Sequence, residues 1–254
     1  MIGCSDMILR WTFGETKERP TSLQAFDMLE CSICYASKLF PNTKKYIIFN
    51  SINSSRTLHR LTEIARSKAE LIEANSNWDN NTKNSFWKYI PQRIEKSKYE
   101  IVIDSDLILW DVPVTLKNWS QSDGLLINSD WNGRNYGDFD KLIDMEVPLN
   151  AGIIGYPPYF EFQLPDVMNF TDRFVTEQGF IANLFTSSNQ KLFVLNKHEI
   201  FQSNAQNHVD KKVSNLIQSF SGAHFCGCNY CHYQHWDKFY KDDLWEYLHK
   251  TNSR

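Results

Sequence analysis

Tyr99-Glu100-Ile101-Val102-Ile103-Asp104-Ser105-Asp106 is the stretch on which the reading of this chain turns. Ile101, Val102 and Ile103 describe a buried strand, and that strand runs directly into two aspartates. In an extended segment, residues i and i+2 point to the same side. The carboxylates of Asp104 and Asp106 therefore converge, which suits a hard divalent cation bound through oxygen. Asp-x-Asp alone is a weak sign, because a chain of this length holds roughly one by chance. Asp138-Phe139-Asp140, in a polar loop, is such a chance occurrence by its setting. The first pair differs in being delivered to a strand end by apolar residues, where idle like charges would repel.

Outward from this strand the apolar pattern switches between a period of two and a period of 3.6. Met7 to Phe13 reads as a first strand ending at Gly14, and Tyr46 to Asn50 as a second. Between them Leu23, Phe26, Leu29, Ile33, Ala36 and Phe40 recur at helical spacing. A Thr21–Gln24 capping box opens that helix and Pro41 stops it. Leu58, Leu61, Ile64 and Ala65 mark a second helix, which Ala69 to Ala74 either extends or follows as a short strand. Asn75 to Asn84 is loop, and Phe86 to Ile94 reads as helical around Pro91. Gly124 to Asn128 and Ala151 to Tyr156 are further buried strands, Thr176 to Phe185 a helix and Lys191 to Leu195 a strand. Trp236 to Leu248 closes the chain as a helix, with Trp236, Phe239, Tyr240, Leu244 and Tyr247 near one stripe. Strands alternating with helices imply crossovers and a mostly parallel sheet, so we expect an α/β fold. Ligands of such sheets bind beyond the carboxyl ends of the strands, where Asp104 sits.

Composition narrows the function. Hydrophobic residues make up 42% of the 254 and charged residues 22%, which argues against global disorder. A net charge of −3 with no basic stripe excludes nucleic acid as the expected partner. A small anion remains possible, because a metal or a helix N-terminus neutralises it locally. No stretch reaches the roughly 18 apolar residues that span a bilayer, and Met1 to Arg10 lacks the pattern of a signal peptide. Cys4, Cys31, Cys34, Cys226, Cys228 and Cys231 are read as reduced thiols of a cytoplasmic protein, with Cys31 and Cys34 as small buried residues on a helix face. Eight Trp and eleven Tyr are core and surface filler first, and surfaces for sugar stacking second.

Three further constellations bear chemistry. Leu149-Asn150-Ala151-Gly152-Ile153-Ile154-Gly155 puts small residues at a strand start, where a ligand can approach the backbone beside the Asn150 amide. Thr176-Glu177-Gln178-Gly179 puts an acid and an amide at a helix start, which is either an ordinary N-terminal preference or a site. The segment from Gly222 to Trp236 holds Cys226, Cys228 and Cys231 with His224, His232 and His235. That density suits zinc, but the one-residue cysteine spacing does not match a two-pair knuckle.

Together these motifs resemble an A-type-fold glycosyltransferase, closest to the glycogenin-like and lipopolysaccharide-galactosyltransferase-like family. Its members show an apolar strand ending in Asp-x-Asp, an Asn-Ala-Gly strand, an Asp-Gln helix start and a closing His-aromatic-x-Gly segment. Here the order is Asp104-Ser105-Asp106, Asn150-Ala151-Gly152, Glu177-Gln178 and His224-Phe225-Cys226-Gly227, over about Lys88 to Trp236. Glu177 stands where the family has Asp, and Gln234-His235-Trp236 where it has Lys-Pro-Trp.

The resemblance implies a single domain over 1–254, with a nucleotide-binding half at 1–106 and an acceptor half with a closing segment at 107–254. It implies Mn2+ or Mg2+ held by Asp104, Asp106 and His224. It implies a UDP-sugar donor contacted by Thr12, Lys88, Arg93, Asp104, Ser105, Gly152 and Gly227, and a carbohydrate or glycoconjugate acceptor. Asn150 and Gln178 fall near the reacting carbon of a retaining enzyme, and Glu177 is the base an inverting one would need. On this reading Gly222 and Gly227 let the C-terminal segment turn or move, and Phe225, Tyr230 and Trp236 cover the sugar. Two rivals stay open. A sugar-phosphate nucleotidyltransferase shares the metal-binding aspartates, but its Gly-rich loop is reduced here to Gly14. A non-catalytic zinc or sugar-binding module would use the cysteine cluster.

Overall fold

A computed structural model describes residues 6–14, 21–50, 55–74, 85–165, 175–203, 212–228 and 232–250. The central sheet has seven strands in the order β3-β2-β1-β4-β7-β6-β8. These are β1 (Met7–Gly14), β2 (Lys44–Asn50), β3 (Glu70–Glu73), β4 (Tyr99–Asp104), β6 (Leu125–Ser129), β7 (Leu149–Tyr156) and β8 (Leu192–Leu195). All pairings are parallel except those of β7, which runs against both β4 and β6. The reversal has a consequence for the site. Ile103 pairs with Ile153, so the start of β7, at Asn150 and Gly152, lies beside the end of β4, at Asp104.

On one face of this sheet Leu9, Trp11, Ile101 and Ile103 meet α1 (Leu23–Leu39) and α2 (Ser55–Ala65) through Leu29, Ile33, Leu61 and Ile64. On the other face Val102, Ile127 and Ile154 pack against Phe180 and Ile181 of α4 (Thr176–Thr186). Each such large side chain, fully buried, contributes about 1.5–3 kcal/mol. A second sheet, β5-β10-β9, stands at the end of the first. It consists of β5 (Leu107–Leu109), β9 (Ile200–Gln202) and β10 (Gly222–His224), with β10 antiparallel to β5 and parallel to β9. The helices α3 (Val114–Trp119), α5 (Val213–Ser219), the single turn α6 (Tyr233–His235), a π-turn (Trp236–Tyr240) and α7 (Lys241–Lys250) complete the chain. No helix among the described residues is long and apolar enough to cross a membrane.

Several elements differ from the sequence reading. Helix α1 is capped one residue later than the Thr21 box: Ser22 accepts from the Ala25 N–H, and Gln24 reaches across to Asp237 at 2.7 Å. Residues 69–74 resolve to the strand β3. In place of the expected 86–94 helix there is a 3-10 turn, Ser85–Tyr89. The carbonyls of Lys88 and Pro91 are taken by the Arg10 guanidinium instead of by a helix ladder. Phe225 and Trp236 are fully buried with their rings 5.3 Å apart, so they belong to the core and do not cover a ligand. Cys31 is fully buried as expected, whereas Cys34 is half-buried and accepts from Lys68 Nζ at 3.1 Å. Cys4, Tyr230, Cys231 and the loop 75–84 lie outside the described residues.

Candidate active site

The site is assembled where the two sheets meet. Strand β4 ends at Asp104, the chain turns through Ser105 and Asp106, and it re-enters as β5, whose Leu107 pairs with His224 of β10. A backbone bond and a side-chain relay lock this junction. The Phe225 N–H donates to the Asp106 carbonyl at 2.8 Å. The Trp11 indole N–H donates to Ser32 Oγ at 2.9 Å, and that hydroxyl donates to the Leu107 carbonyl at 2.6 Å. Residues more than a hundred positions apart thus share one small volume. One ligand atom each of Asp104, Asp106 and His224 lies within 4.8 Å of the others, and this is the one such group of three among the described residues. His224 Nε2 is 3.3 Å from Asp106 Oδ1 and 3.9 Å from Asp104 Oδ2.

These donors fit a divalent cation. Two carboxylate oxygens and an imidazole nitrogen suit an ion tolerant of mixed ligands, Mn2+ better than Mg2+. Burial alone would push the His224 imidazole down, but Cys226 and the Asp106 carboxylate outweigh it and hold the ring well above its ordinary value. The surroundings therefore favour positive charge at this spot. Gly152 supplies the room: a Cβ there would fall 2.3 Å from His224 Cε1 and 2.5 Å from Nδ1.

A second layer surrounds Asp104. Lys88 Nζ, almost fully buried, stands 3.1 Å from Asp104 Oδ1 and 2.8 Å from Glu177 Oε1. Burial would lower this ammonium, and the carboxylates of Asp104 and Glu177 reverse the effect and raise it. The Tyr89 hydroxyl donates to Glu177 Oε2 at 2.6 Å. Burial still leaves the Glu177 carboxyl above its ordinary value, despite Lys88. Thr12 of β1 is in register with Asp104 and buried beside it.

The third layer is an amide network at the start of β7. Asn150 Nδ2 donates to Gln178 Oε1 at 3.1 Å and to Asp130 Oδ2 at 3.4 Å. Its Oδ1 accepts from the Gly152 N–H and from Asn128 Nδ2. Asn128 sits at a break in the β6–β7 register, where its Oδ1 replaces a ladder partner for the Ile153 N–H. Gln178, at the N-terminal turn of α4, is oriented by these contacts and by donation to the Asn135 carbonyl. Gly179 behind it tolerates no side chain, since a Cβ would lie 2.0 Å from the Tyr136 carbonyl oxygen.

The expected residues therefore fall into groups. Asp104, Asp106 and His224 come together; Lys88 and Glu177 join Asp104; Asn150 and Gln178 join each other. Ser105 forms the turn between the aspartates. Gly227 has φ +78°, a turn that favours glycine, whereas Gly222 is a buried strand residue whose Cβ would meet the Ile108 carbonyl at 2.6 Å. That fixes Gly222 in the small sheet and removes it as a hinge. Arg93 is spent elsewhere: its guanidinium donates to Glu100 and to the carbonyls of Lys98, Pro157 and Phe160. Asp138, the comparison aspartate, is exposed and accepts from Thr176 Oγ1 at 3.0 Å. Sequence reasoning missed Arg10, Tyr89, Asn128, Asp130 and Glu100. A charged residue within an apolar strand, Arg10 mid-strand in β1 and Glu100 near the start of β4, was the signal available for two of them.

Of the two alternatives for the cysteine segment, His224 lies with the aspartates. Cys228 is buried with its sulfur 3.7 Å from Ser203 Oγ. Neither Cys226 nor Cys228 belongs to a group of three metal-ligating residues among those described.

No protein-family model matches the chain, and no curated protein matches it in sequence. Solved structures do match in shape. The galactosyltransferase LgtC, in complex with donor and acceptor sugar analogs, superposes with TM-score 0.59 at 14% identity, covering 96% of each chain. Mouse xyloside xylosyltransferase 1 in its apo form gives TM-score 0.53 at 12% identity, covering 88% of this chain and 99% of that one. A putative glucose-1-phosphate thymidylyltransferase from Bacillus anthracis gives TM-score 0.52 at 14% identity, over 75% of this chain and 86% of that one. The fold is that of the A-type glycosyltransferases.

Proposed function

We propose that the protein is a metal-dependent glycosyltransferase that moves a hexose from a nucleotide sugar, a UDP-sugar, to a hydroxyl of a carbohydrate or glycoconjugate acceptor. The observation that carries this reading is the convergence of Asp104, Asp106 and His224 at the carboxyl end of β4. It occurs in a fold shared along nearly its whole length with a galactosyltransferase. Residues 1–106 furnish the nucleotide side and residues 107–254 the acceptor side.

Asp104, Asp106 and His224 would hold Mn2+, which would neutralise the negative charge that grows on the departing diphosphate. Lys88 adds a fixed positive charge to the same region and holds Asp104 by Oδ1, with Oδ2 toward His224. Asn150 and Gln178 present amides that position the donor sugar, and Asp130 accepts from the same network. Glu177 is already bonded to Lys88 and Tyr89 and is nearly inaccessible. It is a poor base for an acceptor hydroxyl, which supports retention of configuration over inversion.

The likeness to a thymidylyltransferase favours one second reading, transfer of a nucleotidyl group to a sugar phosphate. The two reactions leave different products. The protein is incubated with UDP- and GDP-hexoses and Mn2+, and separately with sugar 1-phosphates and nucleoside triphosphates. Release of UDP from a UDP-hexose, abolished by chelation, is expected. Pyrophosphate release in the second arm, with none of the first reaction, overturns the proposal.

A further inference from the structure

One face of the sheet carries Arg10, Glu100 and Asp104 inside a strand pair that is otherwise largely apolar. Arg10 and Thr12 on β1 pair with Val102 and Asp104 on β4, and Glu100, two residues before Val102, shares their face, opposite the one that meets α1 and α2. The side chains of Arg10 and Glu100 are both 0% exposed and meet at 2.9 Å. Arg10 also donates to the Pro91 carbonyl at 2.6 Å and to the Lys88 carbonyl. The second oxygen of Glu100 accepts from the Ile94 N–H at 2.9 Å and from Arg93 Nε at 3.2 Å. Residues 90–94, beyond the 3-10 turn, have no ladder of their own, so these side chains set their path. Lys88 precedes them in the 3-10 turn, its carbonyl held by Arg10 and its ammonium between Asp104 and Glu177. Three cations (Arg10, Arg93, Lys88) balance three carboxylates (Glu100, Asp104, Glu177) in this buried layer.

Stability does not account for such a layer, because apolar side chains of the same volume do as well or better than a buried ion network. What charges supply, and apolar groups do not, is directional placement of the chain they hold. We propose that Arg10 and Glu100 are positioning residues of the active site. Acting through the backbone of the segment 88–94, they place Lys88 against Asp104 and Glu177. The proposal rests on the reading of that site as one for a metal-bound nucleotide.

The test is a double-mutant cycle read by titrating Mn2+ with UDP into wild type, Arg10→Lys, Lys88→Met and the double variant, with melting temperatures on the same samples. Arg10→Lys keeps the charge but cannot hold two carbonyls and a carboxylate in a planar fork. Affinity should change about three- to tenfold in Arg10→Lys, and the double variant should match Lys88→Met within about twofold, as coupled residues do. A network that is only structural gives changes that add, or a lowered melting temperature with wild-type affinity, and either result overturns the proposal. Glu100→Gln enters the same cycle if Arg10→Lys does not fold. The wild-type arm stands by itself: no uptake of Mn2+ and UDP there refutes the site reading, whereas uptake with additive changes refutes only the positioning role.

Discussion

Gly152→Ala isolates the histidine arm of the site with a single methyl group. The new Cβ would stand 2.3 Å from His224 Cε1 and 2.9 Å from Asn150 Oδ1. Ordinary carbon contact begins near 3.5 Å, so the imidazole must retreat by roughly 1 Å. His224 is 4% exposed and packed in the small sheet, so its retreat takes Nε2 out of line with the aspartates. Metal–ligand distances tolerate only about 0.2 Å. Disturbing the support of a ligand typically weakens metal binding about 10- to 100-fold, and we expect Mn2+ affinity to fall in that range. Gly155→Ala is the matched control on the same strand, since its Cβ would meet Trp119 Cζ2 at 2.6 Å, inside the core. Both variants should lose about 1–3 kcal/mol of stability to overpacking. Electron paramagnetic resonance of free Mn2+ reads the affinities directly. Equal Mn2+ binding by Gly152→Ala and wild type, or an equal loss in Gly155→Ala, refutes the reasoning.

Further outcomes follow from the same geometry. Asp106→Asn should cut turnover by at least about 100-fold, while the exposed Asp138→Asn stays within about twofold of wild type; equal effects contradict the assignment. His224 has its ring held well above the ordinary value by Cys226 and Asp106. A metal must displace that proton, so Mn2+ affinity should rise with pH above about 6.5, and calorimetry in buffers of different ionisation enthalpy should show proton release. The sign for the metal-free protein is opposite: a raised folded-state value stabilises below the unfolded value, and the contribution is lost as pH rises through the folded one. A melting temperature that rises through the same window contradicts this. Ser32→Ala strands the Trp11 N–H and the Leu107 carbonyl, both buried, and should cost about 1–3 kcal/mol in denaturant unfolding; a loss below about 0.5 kcal/mol shows the relay to be idle.

The sequence made the long strands and helices legible because their periods are sustained: β1, β4 and β7 and helices α1 and α4 fall within a residue or two of expectation. The aspartates were legible because an apolar strand delivers them. The small sheet was not, since three residues of β5, β9 or β10 show no alternation, and the pairing of His224 with Leu107 is a contact across more than a hundred residues. Arg93 shows a related limit. A basic residue near a site suggests a ligand, and nothing local reveals that Glu100 and three carbonyls already claim it. Glu177 shows the same limit: its place at a helix start was visible, its burial against Lys88 and Tyr89 was not. The Thr21 box failed by one residue because Ser22 caps instead, taking the Ala25 N–H, while Gln24 turns away to Asp237.

On the proposed function, Asp104, Asp106 and His224 together hold a divalent cation that carries a nucleotide diphosphate. Electron–nuclear double resonance on the protein with one equivalent of Mn2+ and UDP tests it in a single spectrum. A nitrogen coupling from His224 that disappears in His224→Ala is expected, together with phosphorus couplings from the diphosphate. Phosphorus couplings alone would remove His224 from the site, and a spectrum with neither would contradict the claim.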